Sequence, residues 1–152
     1  MRLHFSSFAP SSVSRRACRW AGDRGGDGDR LADLGDVKAF LAERLELALS
    51  MGAEEERIWL DPGIGFGKTL EHNLELLRRL GELRELGRPL VVGTSRKSFI
   101  GKIDGSAVDD RIGGTIASSI LAAAEGAGVL RVHDVAEAAQ AVKVAEAILA
   151  SP

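Results

Sequence analysis

The chain has 152 residues, 28% charged and 45% hydrophobic, with a formal net charge of −2. That length allows one domain with a real core but falls short of a complete (β/α)8 barrel, which takes about 250 residues and rarely fewer than about 200. The near-neutral balance excludes a global pull toward nucleic acid or anionic membrane, and the single Cys18 excludes an internal disulfide.

No apolar run approaches the roughly 20 residues of a membrane span. The opening Met1-Arg2-Leu3-His4-Phe5 lacks the charged region and long apolar stretch of a secretory signal, so a cytoplasmic location is the default expectation. Residues 1–35 read unlike the rest: Ser-rich, then Arg-rich, then Gly22-Asp23-Arg24-Gly25-Gly26-Asp27-Gly28-Asp29-Arg30 with no apolar period. Such a segment buries too little to offset its ordering entropy, which points to a disordered tail; the Arg/Ser-rich opening also allows an organellar transit peptide.

From Asp36 the chain becomes regular, and residues 36–152 read as one unit. Val37, Phe40, Leu41, Leu45, Ala48 and Leu49 recur at helical spacing, with Asp36 able to cap the start and Gly52 the end. A buried strand is expected over Arg57–Leu60, then a glycine loop from Asp61 to Thr69. Leu70, Leu74, Leu77, Leu80 and Leu83 mark the next helix, stopped by Gly87 and Pro89. Leu90-Val91-Val92-Gly93 is a second strand, and Ser95–Arg111 a long connection expected to be mobile. Ile112, Ile116, Ile120 and Ala124 give a third helix, Val129–Val132 a third strand. A last helix follows from Asp134, with Glu137 completing a capping box, and buries Val135, Ala138, Val142, Ala145 and Ile148. The order α-βα-βα-βα implies parallel strands with right-handed crossovers, and three strands alone leave two open edges that favour association, so a homo-oligomer is one expectation.

The loop Asp61-Pro62-Gly63-Ile64-Gly65-Phe66-Gly67-Lys68-Thr69 fails two familiar glycine motifs by count. A Walker loop ending at Gly67-Lys68-Thr69 needs glycine where Pro62 stands, and a dinucleotide fingerprint from Gly63 needs glycine where Lys68 stands. In parallel α/β architectures the loops after strand C-termini share one rim and build the site. Asp61, the pair Arg96-Lys97, and Arg131 with His133 all follow strands in this way. Each has an ordinary explanation alone: a turn former, solvated charge, a hydrogen-bonded structural histidine. Phe66 alone is a packing residue, and His72 is assigned to structure. Their recurrence at equivalent places carries the functional reading.

Asp61 to Lys68 resembles the DPG-x-GFGK signature of the dihydropteroate synthase family. Gly93-Thr94-Ser95-Arg96-Lys97-Ser98 resembles its GxSRKS segment, and Arg131-Val132-His133-Asp134 its RVHD segment. The three fall in family order, and the resemblance runs from roughly Asp36 to Leu149. It implies an incomplete (β/α)8 TIM barrel, here about three parallel strands with four helices. It also implies a condensation in folate biosynthesis: 6-hydroxymethyl-7,8-dihydropterin diphosphate plus 4-aminobenzoate gives 7,8-dihydropteroate and diphosphate. By resemblance Asp61, Lys97 and Arg131 hold the pterin, and Phe66, Arg96 and Ser98 the aminobenzoate. Arg131 and His133 neutralise the diphosphate; Lys97, Arg131 and His133 are the catalytic set. The family uses Mg2+, but its asparagine ligand belongs to the first half of the barrel, and no residue here is assigned to metal.

Nothing in residues 1–35 matches that first half. A truncated or frame-shifted reading that rejoins the family near Asp36 is a further expectation for this segment, and negligible turnover is expected of the isolated chain. The alternative is a non-catalytic barrel fragment that binds a pterin or a partner chain. A pterin-binding methyltransferase is disfavoured by the SRKS segment.

Overall fold

The computed structural model describes residues 33–150; the expectations for residues 1–32 lie outside the described residues. Helix α1 (Leu34–Ser50) buries Leu34, Val37 and Leu41 on one face. Its N-cap is Asp33, whose carboxylate accepts the Asp36 N–H at 2.9 Å. Asp36 is thus the donor in this cap and not the cap itself, because the helix starts earlier than its apolar period suggests.

The strand expected over Arg57–Leu60 shrinks to one parallel bridge between Leu60 and Leu90, and Glu55–Arg57 forms a 3-10 turn. Glu54, Glu55, Glu56 and Arg57 are all exposed, whereas Leu60 is buried and alone gains by joining a sheet. Thr69 caps α2 (Leu70–Arg78), its hydroxyl accepting the His72 N–H at 3.2 Å. The leucine run then tightens into a 3-10 helix over Leu80–Leu86, which brings Leu76, Leu77, Leu80 and Leu83 inward and leaves Leu74 exposed.

Strands β1 (Val91–Val92) and β2 (Val129–Leu130) pair in parallel, with Val91 opposite Val129 and Val92 opposite Leu130. On the other side of β1, Val91 N–H donates to the Leu60 carbonyl at 2.8 Å and Leu60 N–H to that of Pro89 at 2.9 Å. Three lanes therefore run the same way, and the residues that follow them emerge at one rim. Leu60, Leu90 and Val92 form the core with Ile64, Leu80 and Phe99.

The class is mixed α/β, with a more helical balance than expected: five α-helices and two short strands among the described residues, rather than four and three. The extra helix α3 (Ser98–Asp104) lies inside the segment expected to be a mobile connection, because Phe99 and Ile100 enter the core and Gly105 ends the turn. In α4 (Ile112–Ala124) the buried face is Thr115, Ser118, Ser119, Ala122 and Ala123, not the expected isoleucine stripe. Helix α5 (Val135–Leu149) buries Ala138 and Val142 as expected but leaves Val135 and Ile148 exposed. The two helices pack on each other, and α4 also packs on β2, so a narrow strip of small side chains fits the contact and bulkier groups stay on the flanks. The capping box at Asp134 does not form, since its carboxylate is engaged elsewhere. Among the described residues, no helix is long and apolar enough to cross a membrane.

Candidate functional site

The loop after Leu60 is shaped by Gly63, Gly65 and Gly67, whose φ angles of 71°, 77° and 60° lie in the left-handed region that L side chains avoid. Asp61 Oδ1 accepts the Gly63 N–H at 2.8 Å, a local turn that fixes the carboxylate. Asn73, 3% exposed, ties the far side of the loop. Its Oδ1 accepts the Gly65 N–H at 2.6 Å, and its Nδ2 donates to the carbonyls of Thr69 at 2.6 Å and Lys68 at 3.3 Å. Lys68 Nζ donates to the Gly63 carbonyl at 3.0 Å. The loop's own polar groups are thus satisfied locally.

The remaining Asp61 oxygen faces the third lane, where Arg131 Nη2 donates to Oδ2 at 3.5 Å. The Arg131 guanidinium lies against Gly93 at the end of β1, where a Cβ would stand 2.9 Å from Nη2. Lys97 sits at the N-cap of α3 and reaches back across the glycine loop. Its Nζ lies 3.5 Å from the centroid of the Phe66 ring, and its stem covers Gly65, where a Cβ would come within 2.7 Å of Cδ. Burial holds the Lys97 pKa below the usual lysine range, Arg131 adds to this, and Asp61 opposes it. On the other side, Ser95 Oγ stands 2.9 Å from His133 Nδ1. A cavity of about 510 Å³ opens between these loops, its wall including Ser95, Arg96, Lys97, Val108, Arg131 and His133. A carboxylate and several cations around one concavity suit a polar heterocycle carrying an anionic group.

A family model described as pterin binding enzyme matches residues 24–133. The chain belongs to the pterin-binding enzyme family. The dihydropteroate synthase of Synechocystis sp. is 51% identical over 116 residues, which cover 76% of this chain and 40% of that protein. That of Escherichia coli is 41% identical over 116 residues, covering 76% and 41%. Among solved structures, Xanthomonas albilineans dihydropteroate synthase with 4-aminobenzoic acid superposes with a TM-score of 0.77 at 42% identity, covering 82% of this chain and 45% of that one. The same enzyme in complex with 7,8-dihydropteroate gives the same score and identity, covering 82% and 47%. The chain spans about two fifths of the length of the curated relatives it matches.

In this pterin-binding family member the residues singled out by sequence fall into two groups. Asp61, Phe66, Lys97, Arg131 and His133 converge on one rim: Lys97, Arg131 and His133 line the cavity, while Asp61 and Phe66 meet it through Arg131 and Lys97. Arg96 lines the cavity but is already paired. Its Nη2 and Nε donate to the two Asp134 oxygens at 2.8 and 3.3 Å, and its Nη1 to Asp109 at 3.2 Å. The Asp134 hydrogen bond raises the Arg96 pKa and, reciprocally, holds the Asp134 carboxyl below the usual range. The Arg96 backbone is left-handed at φ 56°, a conformation that costs about 1–2 kcal/mol without glycine. The buried Thr115 hydroxyl, accepting the Arg96 N–H at 3.0 Å, helps to hold it. Ser98, the first residue of α3, is exposed and is not part of the cavity wall.

Four residues that sequence reasoning gave no functional place organise this site. Lys68 is half-buried against the loop carbonyls, and burial, partly offset by Asp61, depresses its pKa to about 8. Asn73 was visible only as a polar residue facing the same way as Leu76, Leu77 and Leu80. Asp134 carried a helix-cap signal that matched its position and not its use. Ser95, inside the second motif, carried no separate signal. Among the described residues, no group of three or more His, Cys, Asp or Glu side chains is placed to hold a metal.

Proposed function

We propose that this chain is a segment of an incomplete (β/α)8 barrel of the dihydropteroate synthase type, binding a pterin diphosphate and 4-aminobenzoate at the rim of its three lanes. The observation that carries this reading is the convergence of Asp61, Lys97 and Arg131 from three separate loops, with Arg131 3.5 Å from Asp61 and both Lys97 and Arg131 on the cavity wall. A pterin's aminopyrimidine edge presents parallel N–H donors that one carboxylate accepts bidentately, the role assigned to Asp61. Lys97 donates to the ring carbonyl or nitrogen. Arg131 covers the flat ring face and, with His133, faces the diphosphate.

In the condensation the C–O bond between the pterin methylene and the diphosphate breaks, the electron pair leaving with the diphosphate. The arylamine nitrogen then forms the C–N bond and loses a proton. Fixed cations favour this because negative charge gathers on the leaving group, so their attraction is stronger in the transition state than before it. The aminobenzoate ring is assigned to Phe66 and its carboxylate to Arg96 and Ser98. Arg96 must then give up Asp109, its 91%-exposed partner, and keep Asp134. Among the described residues no cluster of three or more His, Cys, Asp or Glu side chains is placed to hold Mg2+.

Titration calorimetry with the pterin diphosphate tests the reading: the purified chain binds it, and Asp61→Ala abolishes the binding. A folded chain with no affinity for the pterin would end the proposal. The same material assayed alone is expected to give negligible dihydropteroate, because among the described residues the pocket wall comes only from the segments after β1 and β2. Turnover that tracked the polypeptide and vanished in Asp61→Ala would overturn that part.

A further inference from the structure

The loops after β1 and β2 are cross-tied at adjacent points, Arg96 to Asp134 and Ser95 to His133. We propose that Ser95 is a positioning residue that fixes the tautomer of the neutral His133 imidazole, with the proton on Nε2, presenting an N–H donor to an oxyanion in the cavity.

A serine hydroxyl has one proton to give and two lone pairs to receive with. Ser95 is 5% exposed, and its Oγ accepts the backbone N–H of His133 at 3.2 Å. The same oxygen stands 2.9 Å from Nδ1 of that imidazole, and among the described residues this nitrogen is the only acceptor within reach of the hydroxyl proton. The opposite polarity, with Nδ1–H donating into Oγ, would leave the hydroxyl proton without a protein acceptor among the described residues. Nδ1 therefore accepts, and a neutral imidazole that accepts at Nδ1 carries its proton at Nε2.

His133 is exposed, lines the cavity, and has no protein partner at Nε2 among the described residues. The donor it presents suits an anion and not a basic amine: Nδ1, the nitrogen able to take a proton, is turned into the protein. The arrangement is held at both ends, since Ser95 also receives the backbone of the residue whose ring it orients. Arg96 and Asp134, the next residue along on each loop, prevent the two loops from sliding apart. The lock itself is independent of the proposed function; only the identity of the oxyanion, a diphosphate, rests on it.

The test uses the full chain labelled with 15N-histidine at about pH 8, above the ordinary histidine pKa of about 6.5. Of three histidines, His133 is assigned by the signal lost in His133→Gln. Two-bond 1H–15N correlations report the tautomer. The wild type shows Nε2–H alone, Ser95→Ala shows the mixture of a free imidazole, and Ser95→Thr, which restores a hydroxyl, returns toward the single form. An Nδ1–H signal in the wild type, or the same tautomer ratio in Ser95→Ala, overturns the proposal. Inorganic diphosphate is then titrated: it shifts the Nε2 resonance, with an affinity up to about twofold weaker in Ser95→Ala, the factor by which the Nε2–H population falls. If the lock is seen and diphosphate leaves Nε2 unmoved, the lock stands and the diphosphate assignment falls.

Discussion

Replacing Gly93 with alanine displaces the Arg131 guanidinium without substituting any charged residue. The added Cβ would lie 2.9 Å from Nη2, 3.1 Å from Cζ and 3.3 Å from Nε, so the guanidinium must move off by several tenths of an ångström. Gly93 has no left-handed backbone to strain, and Arg131, 57% exposed, has open space to move into. Alanine also restricts the unfolded chain, a gain of about 0.4–1 kcal/mol that offsets the loss of an exposed ion pair contributing about 0–1 kcal/mol. Folding stability therefore stays within about 1 kcal/mol of the wild type. Pterin binding does not: displacing a stacked, charge-assisted donor forfeits about 1.5–3 kcal/mol, a fall of roughly 10- to 100-fold in affinity. Urea denaturation and titration calorimetry with the pterin diphosphate, run on one preparation, read the two quantities. Unchanged affinity in a stable variant would show that the seat of Arg131 on Gly93 has no part in recognition.

Asn73→Asp keeps an acceptor for the Gly65 N–H but sets a carboxylate against the Lys68 and Thr69 carbonyls in a buried place. It should cost about 2–4 kcal/mol in urea denaturation, and a loss under about 1 kcal/mol would remove Asn73 from its place as organiser of the loop. For Lys68, the unfolded chain retains the proton between about pH 8 and about pH 10.5 while the folded chain has released it. Stability therefore rises with pH across that window, and the cost of burying the charge is fully present below about pH 8. After allowance for solvent access, the wild type should gain about 1–2 kcal/mol more than Lys68→Met between neutral pH and pH 10; equal slopes would contradict this. Arg96→Lys keeps the charge and loses the planar fork that grips Asp134 and reaches Asp109. Hydrogen exchange should accelerate in the Val108–Asp110 turn and at the start of α5, and unchanged protection there would count against the tie.

The rim residues were legible because their signals are local: a carboxylate before Pro62-Gly63, paired cations after Val92, and an alternating Arg131/His133 after Leu130 each mark where an apolar run stops. The helices were legible in position but not always in facing. In α4 the isoleucines advertised one face while Thr115, Ser118 and Ser119 occupy the other, because a helix close to a thin sheet selects for size before hydropathy. The missing strand and the unexpected α3 share a cause. Short apolar stretches such as Ile58-Trp59-Leu60 and Phe99-Ile100 do not say whether they pair or coil, and the neighbouring core decides. Asp134 shows the limit for side chains: its local grammar says cap, and Arg96, remote in sequence, claims it first.

Of the three lanes, Leu90 to Val92 is the one hydrogen-bonded on both sides, to Leu60 on one flank and to β2 on the other. Injury is therefore unequal across the rim. A break in the Leu60 lane sets Asp61 adrift and leaves Lys97, Arg131 and His133 facing one another. A proline at Val91 removes the N–H that holds Leu60, and the kink it imposes on the middle lane also threatens the seam with β2, so every arm of the pocket loses its anchor together.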